Sequence, residues 1–71
     1  FLAILRGARP GPSMLLRADM DALPMPEDTD LEFKSRNDGR MHACGHDAHC
    51  AMLSMAARLL DRHREELAGN V

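Results

Sequence analysis

Hydrophobic positions predict two strands at the start of the chain. An apolar run occupies Phe1–Arg6 and ends at Gly7–Pro12, a stretch dense in turn-forming glycine and proline. Ser13–Met20 resumes with successive apolar residues at 14–16, a pattern that suits a strand covered on both faces. Because a short Pro/Gly loop separates the two runs, the pattern predicts an antiparallel strand pair.

The next region, residues 22–43, shows no sustained hydrophobic period. Pro24 and Pro26 impose extended backbone, and Asn37–Gly39 is a turn signal. A brief strand is expected near Leu31–Lys34. The region is therefore predicted to be a long loop, and a loop of this length inside a compact domain is usually functional.

From about Asp47 the apolar spacing becomes helical. Asp47 suits the positive N-terminal end of a helix, and Gly69 suits its C-terminal stop. The apolar stripe follows the spacing of a core-facing helix: Met52, Met55, Ala56, Leu59, Leu60 and His63. The elements together predict an α/β arrangement of an antiparallel strand pair, a long loop and one amphipathic helix.

The composition indicates that these elements do not form a stable domain on their own. The chain has 71 residues, 45% of them hydrophobic, and a net charge of -2, which is ordinary for a globular protein and gives no basic face for nucleic acid. A domain this short buries only about 60% of the surface that its unfolded chain exposes, and there is no Trp or Tyr to anchor a core. An apolar first residue and a Gly-Asn-Val ending predict a segment of something longer.

Other classes are excluded by what the sequence lacks. No apolar run approaches the ~20 residues that cross a bilayer, and no stretch resembles a secretion signal. Two cysteines do not make a disulfide framework, which favours a reducing compartment. We expect a cytoplasmic protein with no membrane partner.

Paired carboxylates form the first chemical motif, at Arg17–Pro24. In a strand, Asp19 and Asp21 project to the same side at its carboxyl end, where ligands of open α/β sheets gather. Two carboxylates this close repel each other unless a cation lies between them. The alternative is a solvated strand end in which Arg17 is the partner.

Histidine and cysteine crowd into the second motif, Met41–Cys50. Thiolate and imidazole ligands together favour zinc or another transition metal over calcium or magnesium. Gly45 lets the backbone bend so that Cys44 and His46 converge, and Asp47 is positioned to anchor a ligating imidazole.

Together the two motifs resemble those of the M20D amidohydrolases, which include hippurate hydrolases, auxin-conjugate hydrolases and other N-acyl-amino-acid hydrolases. The resemblance rests on Arg17–Pro24, then on Gly39–Asp47, followed by a helix. It implies that residues 1–71 are an incomplete, N-terminal part of a zinc-peptidase-like catalytic domain. A smaller lid domain, absent here, would mediate homodimerisation.

The resemblance also implies roles for single residues. The intact enzyme binds two divalent metal ions (Zn, Mn, Co or Ni), and Cys44 and His46 match metal ligands, with Cys44 in the bridging place. Asp21 matches the aspartate that orients the metal site and is the predicted catalytic residue. Asp19 stands where other branches of the family carry a ligand histidine, so we expect it, like Asp47, to lie behind the ligands.

The implied reaction is hydrolysis of the amide bond of an N-acyl amino acid, a small-molecule substrate, by metal-activated water. The family's remaining ligands and its general-base glutamate lie beyond Val71. We therefore expect the isolated chain to be inactive.

Two other interpretations stay open. Cys44, His46, His49 and Cys50 could close one structural zinc site, making the chain a small metal-binding module. Alternatively, Cys44 and Cys50 could form a redox-sensing thiol pair. Neither alternative needs the paired aspartates before the proline.

Overall fold

Two short strands and one long helix make up the regular structure of the computed structural model, which describes all 71 residues. Strand β1 spans Arg9–Ser13, helix α1 spans His46–Arg62 and strand β2 spans Ala68–Asn70. A 3-10 turn at Arg64–Glu66 links α1 to β2. The predicted combination of a strand pair, a long loop and one helix is confirmed. No helix in the structure has the length and apolarity that crossing a bilayer requires.

The pairing of the strands differs from the predicted antiparallel hairpin. β1 and β2 are parallel, and the first apolar run pairs with the end of the chain, since Leu5 and Val71 exchange backbone hydrogen bonds of 2.8 and 3.0 Å. The prediction was wrong because it assumed a local partner. Helix α1 instead acts as a crossover that returns a distant segment beside β1, and a crossover connection gives parallel strands.

Three predicted strands are absent from the structure. Phe1–Arg6 carries only an isolated bridge at Arg6, and β1 lies mostly within the Gly7–Pro12 stretch that was predicted to be a turn. Residues 14–20 carry no strand, and Leu31–Lys34 forms a turn in which the Lys34 N–H donates to the Leu31 carbonyl at 3.1 Å. Apolar runs describe which residues avoid water, but they do not reveal whether a partner strand lies beside them. The turn predicted at Asn37–Gly39 is present, closed by the Arg40 N–H and the Asn37 carbonyl at 3.1 Å.

Helix α1 begins near the predicted residue but ends earlier than predicted. Asp47 lies in its first turn, as expected. The helix ends at Arg62, because the N–H of His63 is shared between two successive carbonyls and the chain tightens into the 3-10 turn. Gly69 is therefore not the helix stop. It lies within β2 at φ +89°, where the backbone of Pro12 leaves no room for a Cβ.

These residues form no hydrophobic core of their own. Gly69 is the one buried residue of 71. The apolar stripe of α1 is open to solvent, with Met52 61%, Met55 52% and Leu59 49% exposed. The radius of gyration is 16.4 Å, whereas a compact chain of this length would have about 11 Å. The stripe predicted to face a core is present, but the described residues do not cover it.

Candidate metal centre

The end of the second apolar run lies against the start of α1. The Cys50 thiol donates a hydrogen bond to the Asp19 carbonyl at 3.1 Å, and Nε2 of His42 lies 3.1 Å from the Met20 carbonyl. These contacts join residues that are 31 and 22 positions apart in the sequence. The two chemical motifs are therefore side by side at one end of the helix.

A third contact joins the backbone segment 19–21 to the start of α1. Nδ1 of His46 lies 2.9 Å from Oδ1 of Asp21 and 3.2 Å from the Asp21 carbonyl oxygen. Because both oxygens only accept hydrogen bonds, this geometry assigns the ring proton to Nδ1 and leaves a lone pair on Nε2 of the neutral ring. A metal-ligating histidine is ordinarily held in this way by a carboxylate or a carbonyl. The contact suits His46 for binding a metal through Nε2.

Solvent exposure decides what this contact can contribute. The side chain of His46 is 22% exposed, whereas that of Asp21 is 72% exposed. Because water screens an exposed ion pair, the contact adds little to the stability of the fold. Its effect is to fix the orientation of the imidazole.

Gly45 forms the bend between the two predicted ligands. It is the N-cap residue of α1 and has φ +87°, in the left-handed region that glycine enters without steric cost. Cys44 thus precedes the bend and His46 begins the helix. The Cys44 thiol is free and exposed. Its sulfur and Nε2 of His46 are the kinds of donor that zinc and similar metals prefer.

The other two predicted acidic residues make different contacts. Asp19 pairs with Arg17 at 2.6 Å, with both side chains partly exposed, which matches the solvated strand end considered as an alternative. The side chain of Asp47 makes no hydrogen bond or ion pair, so the carboxylate that contacts His46 is that of Asp21. Asp47 lies in the first turn of α1, where the helix dipole favours a negative charge.

The described residues do not assemble a complete metal site. No three His, Cys, Asp or Glu side chains converge closely enough to hold an ion. The rings of His46 and His49 are 6.2 Å apart between centroids, and the Cys50 thiol is directed at a backbone carbonyl. Cys44 and His46 fit the donor chemistry of a metal, but they are fewer than the about four ligands that zinc takes.

Sequence analysis missed one residue that organises the loop between the motifs. The carboxylate of Glu27 accepts a hydrogen bond from the Ser35 N–H at 2.6 Å and another from the Thr29 hydroxyl at 3.0 Å. Glu27 is partly buried, whereas three nearby acidic residues are exposed: Asp28, Asp30 and Glu32. Because all four look alike in the sequence, no local signal distinguishes Glu27 from the others.

Comparison with known families gives one clear match. The profile of Peptidase family M20/M25/M40 matches residues 15–71. The matched range contains both chemical motifs, the loop that joins them and the whole of α1.

Curated relatives match almost the whole chain. Thermostable carboxypeptidase 1 of Saccharolobus solfataricus is 55% identical over 94% of the chain, and N-acetylcysteine deacetylase of Bacillus subtilis is 50% identical over 99% of it. The chain spans only 17% and 18% of the length of these two proteins.

A solved structure has the same local fold. The Bacillus subtilis YXEP protein, described as a dinuclear metal binding peptidase from the M20 family, superposes with a TM-score of 0.90 and 50% sequence identity. The superposition covers 96% of this chain and 19% of that one. The strand pair, loop and helix described above are therefore an arrangement that this family shares.

Proposed function

Because the chain belongs to peptidase family M20/M25/M40, we propose that it is part of the catalytic domain of a longer enzyme that hydrolyses N-acyl amino acids with two divalent metal ions. The small share of each relative that the chain spans supports its being a part of a longer domain. The relative named as an N-acetylcysteine deacetylase supports the reaction. The dinuclear metal binding structure supports the number of metals.

In this proposal Cys44 and His46 are metal ligands, and the other ligands come from residues outside the 71 described. Divalent metals in such a site supply an activated water nucleophile and polarise the amide carbonyl. Asp21 holds the imidazole of His46 so that Nε2 is presented to the metal. Asp19 stays behind the ligands, bound to Arg17.

One observation carries the proposal, namely the contact between Asp21 and His46. It joins the paired-aspartate motif to the cysteine–histidine motif across 25 positions of sequence. It also leaves free the ring nitrogen that a metal would need. A structural zinc module or a thiol pair gives no reason for the paired aspartates to lie here.

The experiment that tests the proposal uses the full-length protein that contains this chain. Metal content and hydrolysis of N-acetyl and N-benzoyl amino acids are measured for the wild type and for Cys44→Ala. We expect about two metals per protein and turnover in the wild type, and the loss of both in the variant. A wild type that binds one metal tightly and hydrolyses no substrate would contradict the proposal and favour a structural zinc site.

A second candidate activity is removal of a C-terminal amino acid from a peptide. It is favoured by the relative named as a thermostable carboxypeptidase. Both reactions break an amide bond next to an amino acid with a free carboxylate, so the residues described here serve either. Comparing kcat/KM for an N-acetyl amino acid and for a blocked dipeptide with the same C-terminal residue distinguishes the two.

The identity of the metals, homodimerisation through a lid domain and a cytoplasmic location stay predictions from the sequence. Metal analysis of the purified protein and its mass in solution test the first two. We expect zinc or manganese as the bound metal and a dimer.

A further inference from the structure

The loop between the two motifs is closed at its base. Leu23 and Met41 exchange two backbone hydrogen bonds, of 2.8 and 3.1 Å, and form an isolated antiparallel bridge. Asp21 lies two positions before this bridge, and His42 follows it directly. This bridge therefore joins the loop to the residues on both sides of the candidate metal centre.

Above that base, Glu27 is the one side chain that links the two halves of the loop. Its carboxylate takes the Ser35 N–H at 2.6 Å across eight positions of sequence, and the Thr29 hydroxyl at 3.0 Å. The side chain of Ser35 contacts only Asn37 beside it. Hydrogen bonds to an ionised carboxylate are about twice as strong as those between neutral groups. Glu27 is also only partly exposed, which limits competition from water.

A cleft extends from Glu27 to Asp47 in the first turn of α1, and neither Cys44 nor His46 lines it. Its volume is about 630 Å³, and its walls include Glu27, Ser35, Met41, His42 and Asp47. The link across the loop and the start of α1 are therefore parts of one surface. The shape of that surface depends on whether the carboxylate keeps the loop closed.

We propose that Glu27 is a positioning residue for the metal centre. Its hydrogen bond to the Ser35 N–H holds residues 27 and 35 together, and this fixes the position of the segment 41–46 that follows. Glu27 therefore raises the affinity of the site for metal without contacting the metal. This role rests on the proposed function, because it assumes that Cys44 and His46 bind metal.

The test measures Co²⁺ binding to the full-length protein by the absorption of the metal–thiolate complex. Glu27→Ala should raise the dissociation constant about tenfold, as losses of supporting contacts around metal ligands do. Glu27→Gln should bind nearly as well as the wild type, because its amide oxygen still accepts from Ser35 and its amide nitrogen can donate to Thr29. Glu32→Ala removes an exposed carboxylate of the same loop and should change nothing.

Each outcome separates the possible roles. If Glu27→Gln loses as much affinity as Glu27→Ala, the carboxylate acts as a ligand or a base and the positioning role is overturned. It is also overturned if wild type and Glu27→Ala bind Co²⁺ equally. A wild type that binds no Co²⁺ contradicts the proposed function itself, whatever the variants do.

A milder variant keeps the test decisive if Glu27→Ala fails to fold. Glu27→Asp shortens the side chain by one methylene, which moves the carboxylate away from the Ser35 N–H, and should raise the Co²⁺ dissociation constant about threefold. An unchanged constant in this variant overturns the positioning role.

Discussion

Single residues near the start of α1 have roles that their sequence positions left open. Asp19 and Asp21 are equivalent by spacing, yet Asp19 pairs with Arg17 whereas Asp21 contacts His46. Both residues reach α1, but Asp19 does so through its backbone carbonyl, which accepts from the Cys50 thiol, and the alternation of apolar residues does not encode this difference. For single residues, the sequence indicates which side chains could bind a metal or support a ligand. The structure shows which of these side chains contact one another.

The Asp21 contact makes a direct prediction for metal affinity. Asp21→Ala in the full-length protein should raise the metal dissociation constant by about 10- to 100-fold, because the imidazole of His46 loses the group that orients it. Asp21→Asn should have a smaller effect, since its amide oxygen still accepts from Nδ1. Competition with a chelator measures both.

Asp28→Ala is the matched control for Asp21→Ala, because Asp28 is an exposed carboxylate without a side-chain partner. It should leave the dissociation constant unchanged. Equal affinities in wild type and Asp21→Ala would show that the contact does not support a ligand.

His49 and Cys50 distinguish the hydrolase from the structural zinc module. In the structure the Cys50 thiol donates to the Asp19 carbonyl rather than pointing at a shared site with Cys44. The double variant His49→Ala/Cys50→Ala should therefore keep its metal content, measured by elemental analysis. Loss of one tightly bound zinc per chain would instead support the four-residue site.

Among the elements, the helix was predictable and the strand pairing was not. Periodicity predicted a helix from about Asp47, and α1 begins at His46, because the i, i+3, i+4 repeat is a local property. Strand partners are set by segments far apart in sequence, so the pattern gave neither the parallel pairing of β1 and β2 nor the end of α1 at Arg62. The candidate site divides in the same way: the sequence gives the residue types that could bind a metal, whereas their contacts with one another come from the structure.

The bend that begins α1 gives a prediction at the element scale. Gly45 and Gly39 both have positive φ, +87° and +69°, and nothing lies within 4 Å of a Cβ added at either. Alanine at either position should lower the free energy of unfolding by about 1 kcal/mol, because only the backbone conformation is strained. Denaturant titration of the full-length protein measures this.

The two glycine variants should differ in their affinity for metal. Gly45→Ala should also weaken metal binding, because the bend lies between Cys44 and His46. Gly39→Ala should not, since it lies outside this segment. If both variants lose metal equally, the bend at Gly45 has no special part in placing the ligands.

For the whole molecule, the unpaired apolar surface is the dominant feature. Fourteen large hydrophobic side chains are exposed, and none is buried. Surface of this kind on a protein marks contact with something else. The chain spans less than a fifth of the length of the two curated relatives. Under the proposed function, the rest of the catalytic domain covers this apolar surface.

The 71 residues on their own should therefore neither unfold cooperatively nor hydrolyse amides. Without a core, no hydrophobic burial offsets the ~1–2 kcal/mol per residue of backbone entropy that folding removes. We expect a broad thermal change in circular dichroism, with α1 only partly helical, and no turnover of N-acetyl amino acids with added Zn²⁺, Mn²⁺ or Co²⁺. The full-length protein under the same conditions is the control. A sharp two-state transition would mean that the isolated chain folds without the rest of a domain, and metal-dependent turnover would mean that the site is complete within these residues.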